Sequence, residues 1–161
     1  MANTLILEGC RIFLKNFSGR PDKYDPKGGK RNFCVWLDED AVDGIIEDGW
    51  NVKWTKPRDE QEDPRPYLKV KLAYGANPNF WPAIYICTKR NKTLLTEETI
   101  GSLDIAGIKN VDLVIRPYDY DTAGHQGRAA YVKSMYVTIE EDPFASKYEF
   151  ETRDDEEEAP F

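Results

Sequence analysis

Aromatic and basic side chains recur together along several short stretches of this chain, in the alternation that is typical of β-strands. Successive side chains of a strand point to opposite faces, so every second residue shares one face. In each stretch one face is apolar and the other carries rings and cations. The apolar faces comprise Cys10, Ile12, Leu14, Phe33, Val35, Leu37, Leu68, Val70, Leu72, Ile84 and Ile86. The opposite faces comprise Arg11, Phe13, Lys15, Asn32, Cys34, Trp36, Tyr67, Lys69, Lys71 and Tyr85.

The pairing of rings with cations indicates a particular chemistry. A flat ring gives a nucleic-acid base a surface on which to stack, at roughly 1–3 kcal/mol for each base, and a neighbouring Lys or Arg neutralises a phosphate. A face that is only solvated would carry Ser, Thr and Glu instead. The alternative is that Phe13, Trp36 and Tyr85 cover a second small core beneath a loop or at a dimer contact. For any one of these three rings the sequence leaves both interpretations open.

Basic residues also gather in three segments that flank these strands. The first is the Gly- and Pro-rich loop at 18–31, the second follows a strand that ends near 88, and the third brackets a hairpin with its tip at 123–127. We predict that the strand faces and these segments bind DNA together. The strand members are Arg11, Phe13, Lys15, Trp36, Lys69, Lys71 and Tyr85. The flanking members are Arg20, Lys23, Tyr24, Lys27, Lys30, Arg31, Lys89, Arg90, Lys92, Arg116, Tyr118 and Arg128.

The elements that position these side chains are mostly strands. Alternation and turn residues predict strands at 4–17, 32–37, 50–55, 67–73, 83–88, 111–116 and 129–139. Gly9 is expected to bend the first of them around a barrel. A short helix is predicted at 38–48, between an N-cap at Asp38 and a terminating Gly49, and a second helical turn runs from Thr96. Many short strands with one or two short helices predict a mainly β fold, a small closed or partly closed barrel.

Two groups of aromatic residues stand outside this pattern. Trp50 and Trp54 share one face of their strand with Val52, and we predict that this face belongs to the core. Phe80 and Trp81 lie in a segment rich in Pro and Asn. They form either a packed turn or an exposed clamp, and the sequence does not decide between the two.

Charge divides the chain into two parts. The 161 residues carry a formal net charge of −7, and 40% of them are hydrophobic, which argues against wholesale disorder. Residues 149–161 hold seven acidic residues and one Arg, whereas residues 1–148 hold 22 acidic and 21 basic residues. The body is therefore nearly neutral, and the last thirteen residues carry most of the charge. We predict a domain at 1–148 and an acidic, disordered protein-interaction tail at 149–161.

The cellular setting is indicated by the cysteines and by the start of the chain. Cys10, Cys34 and Cys87 form an odd, scattered set without paired motifs, which is typical of reduced, buried thiols in the cytoplasm. The first apolar stretch meets a charge at Glu8, so a secretory signal is not expected. No apolar run approaches the ~20 residues of a membrane span.

The usual enzymatic motifs are missing. The single histidine, His125, lies between glycines in the predicted hairpin tip, where a solvated role is the more common one. No Cys or Cys/His spacing suits zinc, and no Gly-rich phosphate loop follows a strand. We therefore expect no enzymatic activity, no metal and no cofactor. A metal-dependent phage nuclease is the alternative, because carboxylates scattered in sequence cannot be grouped without a structure.

A further alternative is an acidic protein that binds a host factor by mimicking DNA. It predicts acidic strand faces, whereas the alternation gives basic ones.

The end of the chain carries the most specific motif. It is an acidic run that closes in Pro-Phe, with the residues Asp154, Asp155, Glu156, Glu157, Glu158, Ala159, Pro160 and Phe161. It resembles the C-terminal tip of bacterial single-stranded DNA-binding proteins, which docks onto replication and repair partners, and phage single-stranded DNA-binding proteins have similar tails. The resemblance implies that Asp154–Glu158, Pro160 and Phe161 bind partner proteins such as a polymerase, a primase-helicase or a recombinase.

The body of the chain carries a second resemblance. Residues 15–19, 31–34, 49–54 and 135–142 are similar to stretches of phage replication-region proteins identified as single-stranded DNA-binding proteins. This resemblance implies an OB-class domain that coats single-stranded DNA without reading its sequence during phage replication or recombination. The tetramer of the bacterial family is not implied, and a homodimer stays open. A tail of charge −6 beside a basic face also predicts that the tail folds back onto that face when DNA is absent.

Overall fold

The computed structural model describes residues 4–21, 23 and 26–140, and within them the fold is mainly β, as the alternation predicts. Nine strands are described: β1 Leu5–Cys10, β2 Ile12–Asn16, β3 Arg31–Trp36, β4 Lys53–Trp54, β5 Pro66–Leu72, β6 Ala83–Cys87, β7 Lys92–Leu95, β8 Ile108–Thr122 and β9 His125–Ile139. The described helices are α1 at Glu39–Glu47 and two 3₁₀ turns at Pro78–Phe80 and Ile100–Asp104. None of the helices in these ranges is long and apolar enough to span a bilayer.

All nine strands of the described residues belong to one sheet, whose main path runs β1-β8-β9-β5-β3-β2. The two end strands of this path are separated only by Arg11, so one bent stretch of chain pairs with both ends of the sheet. Gly9 lies at the irregularity in the β1–β8 ladder and has a φ of +60°, which confirms the predicted bend. No ladder between β1 and β2 is found in the described ranges. The barrel is therefore held together at this seam by chain continuity, and its sheet is not closed by hydrogen bonds.

The long strand β9 organises the rest of the sheet. Along one edge it pairs with β8 in an antiparallel ladder. Its other edge pairs in parallel first with the end of β5, through Ala130 and Tyr131, and then with β6, from Ser134 to Thr138. β7 pairs with β6. The β6–β7 hairpin consequently extends the sheet beyond the barrel strands.

The inward faces of the strands fill the barrel. In β3 and β5 the buried side chains are the alternating ones that the sequence predicts. The fully buried large side chains are Phe17, Phe33, Val35, Leu68, Val70, Ile84, Ile100, Leu103, Val111, Leu113, Ile115 and Met135. α1 adds Val42 and Ile45 to this core and follows Asp38, whose side chain makes no capping hydrogen bond. Gly49 ends the helix with a φ of +99°, as predicted.

Two core assignments are wrong. Leu14 is 74% exposed, because the β2–β3 register shifts between Phe13 and Asn16 and Leu14 adopts a φ of +50°. Trp54 is 47% exposed, because β4 is only two residues long and lies at the margin of the sheet, so the alternation predicted over 50–55 does not continue across the core. Trp50 is buried and Val52 packs partly against the core.

The three cysteines are free thiols. Cys34 is buried, although it lies on the face opposite Phe33 and Val35, and Cys10 and Cys87 are half-buried. Burial raises the pKa of Cys10 to about 11, and its Sγ donates to the Val111 carbonyl at 3.3 Å. Burial also raises the pKa of Cys34. Cys10 and Cys34 are therefore packing groups that stay protonated at neutral pH.

Candidate nucleic-acid interface

A groove with a volume of about 480 Å³ runs along the outer face of β5, between β4 and the β8–β9 hairpin. Lysines form one side of it and tyrosines the other. Its lining residues are Asn51, Lys53, Leu68, Lys69, Lys71, Tyr118, Tyr120, Arg128, Ala129, Ala130 and Tyr131. Register explains this arrangement, because Lys71 lies beside Tyr131 in the parallel β5–β9 pair. The groove thus combines three lysines and Arg128 with three tyrosine rings.

An aromatic cluster adjoins the groove on β2, β3 and β5. Phe13 and Trp36 stack with their ring centroids 4.0 Å apart, and Tyr67 meets Phe13 edge-on at 5.5 Å. These three rings share the outer face, as the alternation predicts. The guanidinium carbon of Arg65 lies 3.9 Å from the Trp36 centroid. Because Phe13 covers one face of the indole, Arg65 covers the other. Trp36 is therefore enclosed between a ring and a cation.

The loop after β2 is anchored by its polar groups. Asp104 accepts hydrogen bonds from the Phe17 and Ser18 amides at 2.7 and 3.1 Å and from the Ser18 hydroxyl at 2.7 Å. The ammonium of Lys15 donates to the carbonyls of Leu103 and Ala106 at 2.9 and 3.2 Å. Lys15, predicted to bind DNA, thus ties β2 to the 3₁₀ turn at Ile100–Asp104.

The other basic residues of this loop divide into two groups. Arg20 lies beside Asp104 at 3.5 Å, and Arg31 donates to the Phe17 carbonyl at 2.9 Å and pairs with Glu97 at 3.1 Å. The second group is exposed and consists of Lys23, Lys27 and Lys30. Tyr24 lies outside the described residues. The tips of this loop consequently present lysines, and its base is held by arginines.

The β8–β9 hairpin is fixed against α1 by Arg128. Its guanidinium donates to the Asp119 carboxylate at 2.6 and 3.3 Å and to the Asp48 carbonyl at 2.6 Å, and it lies 3.4 Å from the Asp48 carboxylate. Two carboxylates therefore compensate the charge of Arg128, which was predicted to bind DNA. The hairpin turns at Ala123 and Gly124, whose φ values of +51° and +81° match a tight two-residue turn.

Two tyrosines of the hairpin face the groove. The Asn51 amide donates to the Tyr120 hydroxyl at 3.1 Å and accepts from the Arg128 backbone N–H at 3.2 Å. Gly127 lies directly under the Tyr120 ring, where any side chain would collide with it. Tyr118 is 61% exposed and meets Tyr131 edge-on at 6.1 Å. Tyr120 is thus held in place, and Tyr118 and Tyr131 line the groove together.

The Arg128–Asp119 pair makes part of the stability pH-dependent. The hydrogen bond from Arg128 lowers the pKa of Asp119 below its ordinary value of 3.8. A carboxylate whose pKa is lower in the native state than in the unfolded state stabilises the fold above the unfolded-state pKa. This stabilisation is lost as the pH falls through the native pKa. We expect Asp119→Asn to lower the urea midpoint at pH 7 and to have a smaller effect at about pH 3. If the urea midpoints of Asp119→Asn and the native chain differ by the same amount at both pH values, this role of the ion pair is contradicted.

The remaining predicted residues do not line the groove. Tyr85 stacks on Tyr136 with centroids 5.2 Å apart, and the Lys92 ammonium lies 4.7 Å from the Tyr85 centroid. Lys89 and Arg90 are exposed in the same β6–β7 hairpin, and Arg11 is exposed at the bend between β1 and β2. Arg116 contacts the Phe80 ring at 5.2 Å. The structure therefore divides most of the predicted set among the groove with its aromatic cluster, the loop after β2 and a β6–β7 cluster. Arg11 and Arg116 belong to none of these groups.

Several residues of this surface are absent from the predicted set. They are Lys53, Arg65, Tyr67, Phe80, Tyr120, Tyr131 and Tyr136. Alternation around Ala130 and Val132 would have placed Tyr131 on the outer face. Met135 and Val137, which are both buried, would have placed Tyr136 there by the same rule, although the alternation changes between Val132 and Ser134, where the β8–β9 register shifts. The described residues also hold no group of three or more His, Cys, Asp or Glu side chains suited to a metal.

The strand order defines the class of protein. With β1 and β2 taken as one bent strand, the barrel follows the order of an OB fold, in which the first strand pairs with the second and the fourth and the third lies parallel to the fifth. OB folds bind oligonucleotides on the face of their second and third strands and on the loops after the first and fourth. Here those parts are the face of β3 and β5, the loop after β2, and the β8–β9 hairpin.

The chain belongs to the phage ssDNA-binding domain family, whose model matches residues 1–158. Solved structures of a single-stranded DNA-binding protein from bacteriophage Enc34 have a similar fold. The one in complex with ssDNA aligns with a TM-score of 0.58 and 14% identity over 88% of this chain and 89% of the other. A C-terminal truncation aligns with a TM-score of 0.56 and 14% identity over 88% of each chain. No curated protein sequence matches this chain.

Proposed function

We propose that the groove and the adjoining aromatic cluster bind single-stranded DNA without sequence preference. The observation that carries this proposal is the composition of the groove, in which Lys53, Lys69 and Lys71 face Tyr118 and Tyr131. Membership of the phage ssDNA-binding domain family supports it. It is supported as well by the similar fold of the Enc34 protein in complex with ssDNA.

The two sides of the groove have different tasks in this proposal. The lysines neutralise phosphates, which releases counterions and makes the affinity fall with salt. The exposed ring of Tyr118 and the half-buried ring of Tyr131 stack on bases, which any base permits because each has a flat face. A duplex fits this arrangement poorly, since its bases are already stacked on one another. Preference for single strands over duplex therefore follows from the rings and not from the charge.

Trp36 takes part in DNA binding when a base replaces Arg65 on its ring. Both of its faces are covered, by Phe13 and by the guanidinium of Arg65. A base that stacks on Trp36 takes the place of Arg65, and the released guanidinium is then free to pair with a phosphate. The cation–π contact keeps the indole in its stacking orientation until DNA arrives, at a cost of about 1 kcal/mol or less for an exposed site.

The acidic residues at 154–161, which lie outside the described ranges, complete the proposed function. They recruit a replication or recombination protein of the phage or host through Asp154–Glu158, Pro160 and Phe161. The protein covers single strands of any base sequence, and a partner bound to its acidic residues is thereby brought to the DNA. Because the segment 149–161 carries a charge of −6, it also competes with DNA for the lysines of the groove over roughly a Debye length of ~10 Å.

Fluorescence anisotropy tests both parts of the proposal. The full chain and a form ending at Lys147 are titrated onto labelled oligo-dT and onto a duplex of equal length, across a salt series. We expect both forms to prefer the single strand, the affinity to fall with salt, and the shorter form to bind more tightly at low salt. Absence of binding by either form at low salt would overturn the DNA-binding proposal. Equal affinity of the two forms would remove only the competition by the tail, and divalent-metal-dependent cleavage of the DNA would indicate a nuclease instead.

A further inference from the structure

A second cluster of rings and cations lies on the outer face of β6, β7 and β9. The rings of Tyr85 and Tyr136 are parallel within 9°, with centroids 5.2 Å apart. The Lys92 ammonium lies 4.7 Å from the Tyr85 centroid and 5.6 Å from that of Tyr136. Tyr136 is 37% exposed and the neighbouring Leu94 is 53% exposed. This is the same combination of side chains as in the groove, and two of the cluster's three strands, β6 and β7, lie off the main path of the sheet.

Basic and acidic side chains both lie near this cluster. Lys89 and Arg90 are exposed in the turn that joins β6 to β7, close in sequence to Lys92. Asp112 pairs with Tyr136 across the β8–β9 ladder, and its carboxylate accepts a hydrogen bond from the Gly9 amide at 2.9 Å. Glu97 and Glu98 line the pocket that Tyr85 and Leu94 share, and Glu97 is paired with Arg31 at 3.1 Å. Lys92, which lies over both rings, is therefore the cation best placed to meet a phosphate there.

The cluster and the groove lie along one strand. Tyr131 lines the groove, and Tyr136 follows it on the outer face of β9. Five residues of strand span roughly 16 Å at about 3.3 Å per residue.

A contact between Arg116 and Phe80 lies between the groove and the cluster. Arg116 pairs with Tyr131 across the β8–β9 ladder. Its guanidinium donates to the Phe80 carbonyl at 3.2 Å and lies 5.2 Å from the centroid of the Phe80 ring. The segment rich in Pro and Asn is a turn that is packed on one side and exposed on the other. Trp81 meets Tyr74 edge-on at 5.7 Å and its indole N–H donates to the Gly75 carbonyl at 2.6 Å, whereas Phe80 is 57% exposed. A ring and a cation therefore stand beside Tyr131, at the end of the groove.

We propose that a single strand leaving the groove at Tyr131 passes Phe80 and Arg116 and binds the Tyr85–Tyr136–Lys92 cluster. The β6–β7 hairpin is then a second DNA contact that lengthens the binding site beyond the five barrel strands. This inference rests on the proposed function of the groove. It assigns Tyr136 and Phe80 to base stacking and Lys92 to a phosphate.

Oligonucleotide length separates this inference from the function of the groove. Oligo-dT of about 5 and about 16 nucleotides, near the two ends of the range covered by OB folds, is titrated onto the native chain and onto Tyr136→Ala and Lys92→Ala. We expect both variants to bind the short oligonucleotide like the native chain. Tyr136→Ala is expected to bind the long one about 5-fold more weakly or worse. Lys92→Ala is expected to lower the salt slope for the long one by about 0.7.

Controls keep the outcome interpretable. Lys109→Ala removes an exposed lysine outside both surfaces and is expected to leave the slope for the long oligonucleotide close to native. Unchanged binding of the short oligonucleotide also shows that a variant is folded. If the variants bind the long oligonucleotide as the native chain does, the second DNA contact is overturned and the proposed function of the groove is unaffected. The same result is expected if the cluster binds a protein instead of DNA. If the native chain binds neither oligonucleotide, the proposed function itself fails.

Discussion

Replacing Lys69 and Lys71 together with alanine is expected to weaken single-strand binding about 25-fold at about 0.1 M salt. Both lysines are exposed on the outer face of β5 and line the groove. Each phosphate contact contributes about 0.7 to the slope of log affinity against log salt for a single strand. Loss of two contacts therefore lowers the slope by about 1.4. If the variant and the native chain converge near 1 M salt, the difference at about 0.1 M is about 25-fold.

The measurement is a salt series by fluorescence anisotropy with oligo-dT. The matched comparison is Lys71→Ala against Lys109→Ala, because each removes one exposed lysine and only the first lies in the groove. We expect Lys71→Ala to lower the slope by about 0.7 and Lys109→Ala to leave it close to native. Similar slopes for these two variants would mean that net charge, and not the groove, determines the affinity.

Replacing Trp36 with alanine is expected to raise the Kd for single-stranded DNA about 5- to 140-fold. Its indole is the largest ring of the aromatic cluster, and a stacked base contributes roughly 1–3 kcal/mol. As a share of the total binding free energy, the loss is greatest at high salt, because salt weakens the phosphate contacts but not the stacking. Trp36→Phe keeps a flat ring on Phe13 and is expected to recover most of the affinity. Tryptophan fluorescence quenching by oligo-dT provides a second measurement, since it should shrink in both variants.

Trp54 is the control for this prediction. Trp54 is 47% exposed, whereas Trp36 is half-buried. Trp54 is not among the groove residues and has no ring contact in the described structure. Trp54→Ala is expected to bind DNA within about twofold of the native chain. Thermal unfolding of all three variants shows whether a loss of affinity reflects a loss of fold. If folded Trp36→Ala binds as tightly as Trp54→Ala, the aromatic cluster is a structural cover and not a stacking surface.

The sequence by itself determined the type of fold and the composition of the outer face. Alternation is a local property, since each side chain's face follows from its position in its own strand. Phe33 and Val35 on one strand and Leu68 and Val70 on another were assigned to the core for this reason, and they are buried. The same rule placed Trp36, Lys69 and Lys71 outside. It failed at Leu14, where a register shift breaks the alternation.

The tertiary structure decided which of the outward cations have partners within the protein. The sequence placed Arg128 near a hairpin tip, but Asp48, which compensates its charge, lies 80 residues away in the chain. Lys15 is occupied by carbonyls 88 and 91 residues away, at Leu103 and Ala106. The number and type of charged residues in the sequence do not reveal these pairings, because the pairings depend on how distant strands meet.

The tertiary structure also decided how the predicted residues are grouped. Local alternation gives the face of a residue but neither its distance from residues on other strands nor the order of those strands. The pairing of β9 with β5 over one part of its length and with β6 over the next places Tyr131 in the groove and Tyr136 beside Tyr85. One predicted surface thereby became two, because strand order and register are set by packing of the whole barrel and not by any single segment.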